Sequence, residues 1–430
     1  MIVSLLGFIV LFALAFFGFP LGFTMAAVGL AGFAWFRGLE PALAMAAQQV
    51  VDVGMSYGLS VIPLFVLMGS LIFKAGVADE LFTAAQRWLG GLRGGLAHAS
   101  LGACAGFGAV CGSSLATAAT MTRVAVPEMR RHGYEPAFAG ATIAAGGTIG
   151  ILIPPSVPMV IYGILTETDI GKLFAAGVLP GLLLTGLYMA AVWVTARLQP
   201  QLTGRLVLSD WRSRLASLRG VLPALLLFGF VFGGLYLGVF TPTESAGLGA
   251  AGALAILVAR RRASWAVLRE ALSESVEVTA VLLPVTIGAA IFTNFLTMAG
   301  LTQAAAEWVG SLDVSPVGVV VLMCVVYILL GCVFDGLAMI FLTIPIFFPI
   351  VVGLGLDPVW FGIVVVIVVE LGLITPPMGM NVFVVKGLMP GVSTWRMFAR
   401  IGVFVAAALL CLGLVIAVPD IALWLPSMMK

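Results

Sequence analysis

Shifted by 222 residues against itself, the chain places five prolines on prolines: Pro20 on Pro242, Pro127 on Pro349, Pro136 on Pro358, Pro154 on Pro376 and Pro155 on Pro377. At this proline content such a shift matches only about half a pair by chance, so the chain reads as two copies of one unit. Neighbouring text agrees: Pro63 pairs with Pro284 at a shift of 221, and FTAAQRWLGGL (82–92) is similar to TQAAAEWVGSL (302–312) at 220. The most constraining pair is GILIPPS (150–156) and GLITPPM (372–378), two apolar segments broken by a double proline at matching places.

The solvent for these segments is lipid. Of 430 residues, 62% are hydrophobic and only 9% charged, and the uncharged runs reach the roughly 20 residues that cross a bilayer. The expected fold is an all-α polytopic membrane protein of inner-membrane type. No basic residue precedes Arg37, which argues for a first spanning helix and against a cleaved signal peptide. Five cysteines, Cys104, Cys111, Cys324, Cys332 and Cys411, lie in apolar stretches without CxxC spacing and read as small core residues. His98 and His132 have no ligand-spaced partners, which argues against a transition-metal site.

Each copy parses alike. Two spans (2–18 and 20–36; 221–239 and 244–259) lead to a polar amphipathic stretch and a third span (58–73; 281–298). A Gly-rich apolar stretch follows (about 95–130; 316–352), then a span interrupted by Pro-Pro (136–165; 358–388) and a fifth span (174–196; 398–418). The Gly-rich stretches carry polar residues midway, GAVCGSSLAT (108–117) and GCVFDGLAM (331–339), and so read as re-entrant helical hairpins. Non-helical backbone at that depth requires surrounding protein or a water-filled cavity. Repeats 1–197 and 220–430, joined by a basic linker 198–219, would each cross five times, and an odd number forces them into opposite orientations.

The basic residues test this parse. A cytoplasmic linker puts Lys74, Arg87, Arg93, Arg123, Arg130, Arg131, Arg197, Arg205, Arg212, Arg214, Arg219, Arg260, Arg261, Arg262, Arg269, Lys386, Arg396 and Arg400 on its side. Of the 21 basic residues, only Arg37, Lys172 and Lys430 remain outside, as the positive-inside rule requires. The N-terminus is then periplasmic, the first hairpin opens from the cytoplasm and the second from the periplasm.

Inverted repeats with paired broken helices place a binding site near the bilayer midplane. Half-helix N-termini direct N–H groups at anions, while freed carbonyls and hydroxyls coordinate a small hard cation. Such oxygens occur at Ser113, Ser114 and Thr117 in the first hairpin, Asp335 in the second, and Thr148, Ser156, Thr375 and Asn381 beside the breaks. The 222 shift aligns Ser113 with Asp335, Thr148 with Glu370 and Met159 with Asn381, so the halves make related but unequal sites. Plainer roles compete. A single membrane hydroxyl usually bonds back to its own helix, GxxxG spacings such as Gly102 with Gly106 serve close packing, and Pro-Pro alone can be a kink. Asp335 and Glu370 are the acidic residues placed deep in the membrane, where a carboxylate is functional by default or else caps a frayed helix end.

No lysine of the four is followed by Ser or Thr, so the chain carries no phosphate-binding loop for ATP, and work must come from an ion gradient. Oxygen-rich tips without an intramembrane histidine favour sodium, with proton coupling through Asp335 or Glu370 the alternative. The chain has neither HExxH nor a nucleophile and base pair, so it is not expected to be an enzyme, and a channel would show unsaturable flux.

GAVCGSSLATAATM, AGGTIGILIPPSVPMVIYG, GCVFDGLAM and ELGLITPPMGMN together resemble the large membrane subunit (DctM-like) of tripartite ATP-independent periplasmic, or TRAP, transporters, over essentially the whole chain. The resemblance implies sodium-driven import of organic acids, mostly carboxylates and sialic-acid-like sugars. It implies a periplasmic substrate-binding protein and a small four-helix membrane subunit as partners, the latter separate here because no fused segment precedes Met1. The implied mechanism is an elevator, with a scaffold of outer helices and a transport domain holding both hairpins and both broken helices. Carried onto this sequence, sodium ions would sit around Ser113, Ser114, Gly150 and Pro154 in one half, and Asp335, Thr375 and Pro377 in the other. Substrate would lie between the tips near Ser156 and Asn381, with Ser114 and Thr117 beside it. No arginine stands at the tips to clamp a carboxylate, with Arg123 at the hairpin edge a weak candidate. Beyond the bilayer, these proteins and the organic anion, no partner is expected, nucleic acid included. A single-component anion carrier of the same architecture is the alternative within transport.

Overall fold

The computed structural model describes residues 2–311, 314–331 and 334–429. Cys332, in the second hairpin, lies outside them. The first half runs through α1 (Ile2–Phe16), α2 (Leu21–Arg37), α3 (Leu39–Gly54), α4 (Val61–Lys74), α5 (Val77–Leu89), α6 (Gly95–Cys111), α7 (Ser114–Arg131), α8 (Pro136–Leu152), α9 (Val157–Thr166) and α10 (Ile170–Leu198). The second comprises α11 (Trp211–Tyr236), α12 (Pro242–Ala259), α13 (Trp265–Met298), α14 (Leu301–Ser311), α15 (Pro316–Gly331), α16 (Gly336–Gly353), α17 (Pro358–Gly372), α18 (Met380–Gly387), α19 (Thr394–Ala417) and α20 (Asp420–Leu423). The fold is all-α and polytopic.

Among the described residues, seven helices are individually long and apolar enough to span a bilayer, or eight when the pair α8 and α9, bent by 41°, counts as one. Three expected spans fall short: α1 has 15 residues and α2 has 17, with Gly18 and Pro20 between them, and α17 with α18 does not pass as a pair, whereas the hairpin arm α16 is itself long and apolar enough. The halves also differ where the amphipathic stretch meets the third span. In the first half it forms α3, separated from α4 by a turn of 3-10 helix at Tyr57–Ser60. In the second it is continuous with the span as the 34-residue α13. Pro63 sits in the first turn of α4, where its missing N–H costs nothing, whereas Pro284 lies inside α13.

Both Gly-rich stretches double back. The Leu96 N–H at the start of α6 donates to the Tyr134 hydroxyl just past α7 (3.1 Å), and Ser100 on α6 faces the Met129 sulfur on α7 (3.5 Å). In the second half the Thr343 hydroxyl on α16 donates to the Tyr327 hydroxyl on α15, and the Tyr327 and Phe347 rings meet at 5.5 Å. These pairings require antiparallel arms.

The halves interlock by exchange. α2 packs on α13 as α12 packs on α4, α8 on α19 as α17 on α10, and α7 on α18 as α16 on α9. The two broken spans run in opposite directions. The Tyr162 hydroxyl near the end of the first donates to the Pro358 carbonyl at the start of the second (2.7 Å), and the Asn381 amide near the end of the second donates to the Ala144 carbonyl in the first (3.1 Å). The repeats are therefore inverted.

Much of the basic side of the parse converges. Lys74 pairs with Glu270 and Glu274 of the other half (3.0 and 3.1 Å), Ser70 donates to Glu274, and Arg260 pairs with Glu80 (2.7 Å). The linker is tied down by Arg205 N–H to the His132 carbonyl and Val207 N–H to the Gly90 carbonyl. Arg400 reaches Glu135, whose own N–H donates to the Leu202 carbonyl. These contacts place the linker, the ends of α4, α5 and α7 and the start of α13 together.

Where each hairpin meets its broken span, two glycine backbones touch. A Cβ on Gly108 would lie 2.1 Å from the Gly150 Cα, and one on Gly331 would lie 2.8 Å from the Gly372 Cα; Gly150 and Gly372 are repeat counterparts. Gly108→Ala should therefore destabilise the protein by about 1–3 kcal/mol, the usual cost of overpacking. Gly186→Ala, where a Cβ meets nothing within 4 Å, should be close to neutral. Thermal unfolding of the two purified variants checks both expectations.

Candidate functional site

The hairpin tips are helix N-termini with their first N–H groups capped by side chains. Ser113 Oγ accepts from the Ala116 N–H (3.3 Å) to start α7, and Asp335 Oδ1 accepts from the Ala338 N–H (2.7 Å) to start α16. The shift of 222 carries one bond onto the other. The capping role weighed for Asp335 is thus present, and a second carboxylate oxygen remains on an exposed residue.

The two breaks share a pattern: Pro154-Pro155 and Pro376-Pro377 are both cis. Beyond the first, Ser156 Oγ accepts from the Met159 N–H (3.4 Å) and starts α9. Beyond the second there is no such cap. Gly379 takes a left-handed turn (φ 54°) before α18, and the Asn381 N–H returns to the Leu373 carbonyl (3.1 Å). Thr375 spends its hydroxyl on the Leu371 carbonyl one turn back (2.6 Å).

In the first half the neighbours of Ser113 and Pro154 meet, and the hairpin packs on Gly150. The Gly112 backbone lies against the Pro155 carbonyl, with only 2.8 Å left for a Cβ, and Gly150 lies against Gly108 and the Thr117 hydroxyl. In the second half, Gly331 meets Gly372 and Gly336 packs on Val369, which sets Asp335 beside the end of α17. Pro377 is exposed there and Thr375 half-buried, whereas Pro154 and Ser156 are buried. The halves differ in access because α4 covers the first tip. Gly69 abuts the Val110 carbonyl, and a small apolar cavity separates Ile62, Phe65 and Val66 from Gly112, Pro155 and Ser156.

Ser114, Thr117 and Asn381 gather around one turn of α8. A Cβ on Gly147 would lie 2.9 Å from the Ser114 carbonyl and 3.2 Å from Asn381 Nδ2, and one on Gly150 would lie 3.3 Å from Thr117 Oγ1. Ser114 donates to Glu370 Oε1 across the repeats (3.4 Å). Ser156 is not in this group; it lines the cavity facing α4. Thr148, placed beside the break from sequence, has a local role: its hydroxyl bonds to the Ala145 carbonyl (2.7 Å) and meets Tyr188 (3.1 Å). Arg123 lies on the exposed side of α7. Sequence reasoning missed Gly147, which leaves room for Ser114 and Asn381 to meet. The adjacent glycines in AGGTIG were the available signal.

This architecture has known counterparts. The family model for the DctM component of the tripartite ATP-independent periplasmic transporter matches residues 8–421. The chain belongs to the DctM family. It is 38% identical over 386 residues, 89% of each protein, to the C4-dicarboxylate TRAP transporter large permease protein DctM of Pseudomonas aeruginosa. It is 33% identical over 374 residues, 87% of each, to the sialic acid TRAP transporter large permease protein SiaM of Vibrio cholerae. The Alcanivorax borkumensis YdaH transporter shares the fold, with a TM-score of 0.65 over 89% of this chain and 88% of that one, at 17% identity. A TRAP large permease is an integral membrane transport protein, and the glycine contacts, capped tips and breaks described above are this chain's version of it.

Asn381→Ala removes a side-chain bond joining α18 to the α8 carbonyl ladder. The variant is expected to lose about 1 kcal/mol of stability, the net worth of a typical hydrogen bond, seen as a lower unfolding temperature in detergent.

Proposed function

We propose that this chain is the large membrane subunit of a sodium-coupled importer of a small organic acid, a carboxylate or a sialic-acid-like sugar. A periplasmic binding protein delivers the substrate, and a small four-helix membrane subunit completes the membrane complex. The observation that carries the reading is the meeting of two inverted, oxygen-bearing helix breaks around α8, in a chain of the DctM family. Relatives named for C4-dicarboxylates, sialic acid and ectoine support a small polar organic substrate. With no arginine at the tips, backbone N–H groups and bound cations meet the substrate's charge.

An elevator mechanism fits the packing. α2 with α13 and α4 with α12 form one body, and the hairpins, broken spans, α10 and α19 form another. The amphipathic α5 and α14 lie between them, against α6 and α16. Repeats 1–197 and 220–430 then act as the two inverted units, with linker 198–219 in the cytoplasm and the N-terminus in the periplasm. Sodium binds at the capped tips: Ser113, Gly150 and Pro154 on one side, Asp335, Thr375 and Pro377 on the other. Substrate contacts come from Ser114, Thr117, Ser156 and Asn381.

Ser113→Ala and Asp335→Ala test the assignment in proteoliposomes holding both partners. Each is expected to raise the sodium concentration for half-maximal uptake about tenfold, the equivalent of about 1.4 kcal/mol of cation binding, with expression intact. Unchanged sodium dependence in both contradicts the tip sites, and wild-type uptake that ignores sodium contradicts the coupling.

A further inference from the structure

Three oxygen atoms near one turn of α8 have no hydrogen-bond partner: Thr117 Oγ1, Glu370 Oε2 and Asn381 Oδ1. All three residues are at most 2% exposed, as is Ser114, which holds the other Glu370 oxygen. The polar neighbour beside Thr117 is the Cys111 thiol, a weak partner at best. Asn381 has committed its amide hydrogen to the Ala144 carbonyl, so its carbonyl oxygen is the free end. Two repeats supply this cluster: Ser114 and Thr117 from the first hairpin, Glu370 and Asn381 from the second broken span.

Such a set is unstable as it stands. Buried acceptors without donors lose their water bonds and regain nothing. A buried carboxylate without a counter-charge is costlier still. Among the described residues no Lys or Arg forms an ion pair with Glu370; the basic residues pair instead with Glu80, Glu128, Glu135, Glu270 and Glu274. A proton on Glu370 would neutralise it but supply a single donor; the group that would satisfy all of these oxygens together while balancing one negative charge is a small dehydrated cation of charge +1. A divalent ion would leave an uncompensated charge in the membrane interior. An anion alone would face the carboxylate directly, so an organic acid contacting Ser114, Thr117 and Asn381 requires the cation between it and Glu370.

We propose that Glu370, Ser114, Thr117 and Asn381 form a monovalent-cation site between the repeats, with Glu370 its one charged ligand. It is additional to the two tip sites, whose Ser113 and Asp335 oxygens cap α7 and α16. It deepens the proposed function and rests on it in taking sodium as the occupant. The repeat explains why there is one such site. The counterpart of Glu370 is Thr148, which is neutral and satisfied by Ala145 and Tyr188, so the duplicated position carries charge in the second half alone.

The purified full chain in nanodiscs is titrated with sodium chloride against choline chloride, reading the unfolding temperature. Wild type is expected to be stabilised by sodium and not by choline. Glu370→Gln, which keeps the shape and removes the charge, is expected to unfold no earlier than wild type in choline and to need at least about tenfold more sodium for the same shift. A merely structural Glu370 gives the reverse, an earlier transition in choline with the sodium response kept, and overturns the proposal. So does a wild type that sodium leaves unmoved. If Glu370→Gln does not fold, Thr117→Ala decides, with a severalfold weaker sodium response expected and an unchanged one contradicting the site. Sodium-driven uptake by wild type alongside an unaltered sodium response in the variants rejects this site and leaves the proposed function standing.

Discussion

Every backbone N–H and C=O inside a bilayer must find its partner within the protein, because lipid offers none. A helix broken at mid-depth is therefore tolerable only where other protein surrounds it and side chains replace the lost bonds. Among the described residues four helix breaks occur, at the two hairpin tips and the two Pro-Pro pairs, and the packing is organised around them. Gly108 with Gly150 and Gly331 with Gly372 let the hairpins lie directly on the broken spans. Ser113, Asp335 and Ser156 cap the helices that resume. Asn381 and Glu370 then join the two halves beside the breaks. A break shielded from lipid is also a place where a solute can be bound.

Duplication gave one scaffold two chemistries. The capping position is a neutral hydroxyl in Ser113 and a carboxylate in Asp335. The mid-span position is a self-satisfied threonine in Thr148 and a buried glutamate in Glu370. The residue after the break is an apolar Met159 in one half and Asn381 in the other. Access differs as well: α4 covers the first tip, while Asp335 and Pro377 in the second are exposed. Paired tips covered on one side and open on the other suit a carrier that exposes its site alternately.

Much of this was legible in the sequence, for physical reasons. A proline leaves a mark wherever a helix must start or stop, so matched prolines revealed the repeat, both breaks and the start of α8 and α17. Positive charge avoids translocation, so basic residues that the parse set on one side, such as Lys74 and Arg260, could be read together from sequence, and in the fold each pairs with an acidic residue of the other half. Long-range pairings were not legible. Nothing local says that Ser114 reaches Glu370, 256 positions away, or that Thr148 turns to Tyr188 and away from the site. The fusion of the amphipathic stretch into α13 also escaped notice, because a proline inside a helix and one in its first turn look alike without the neighbours. The break between α1 and α2 was placed where it falls, at 18–20, but hydropathy did not register that the helices on either side are too short to count as full spans.

Inversion of the repeats underlies the single meeting point of the breaks, and side-specific labelling tests it most directly. Arg131 and Gly353 are exposed repeat counterparts at the ends of α7 and α16. Single cysteines at these two positions, in a background whose native cysteines are alanine, are treated in intact cells and in inside-out vesicles with a membrane-impermeant thiol reagent. The inverted arrangement predicts that Gly353→Cys labels in cells and Arg131→Cys only in inside-out vesicles. Labelling of both positions from the same side would contradict it.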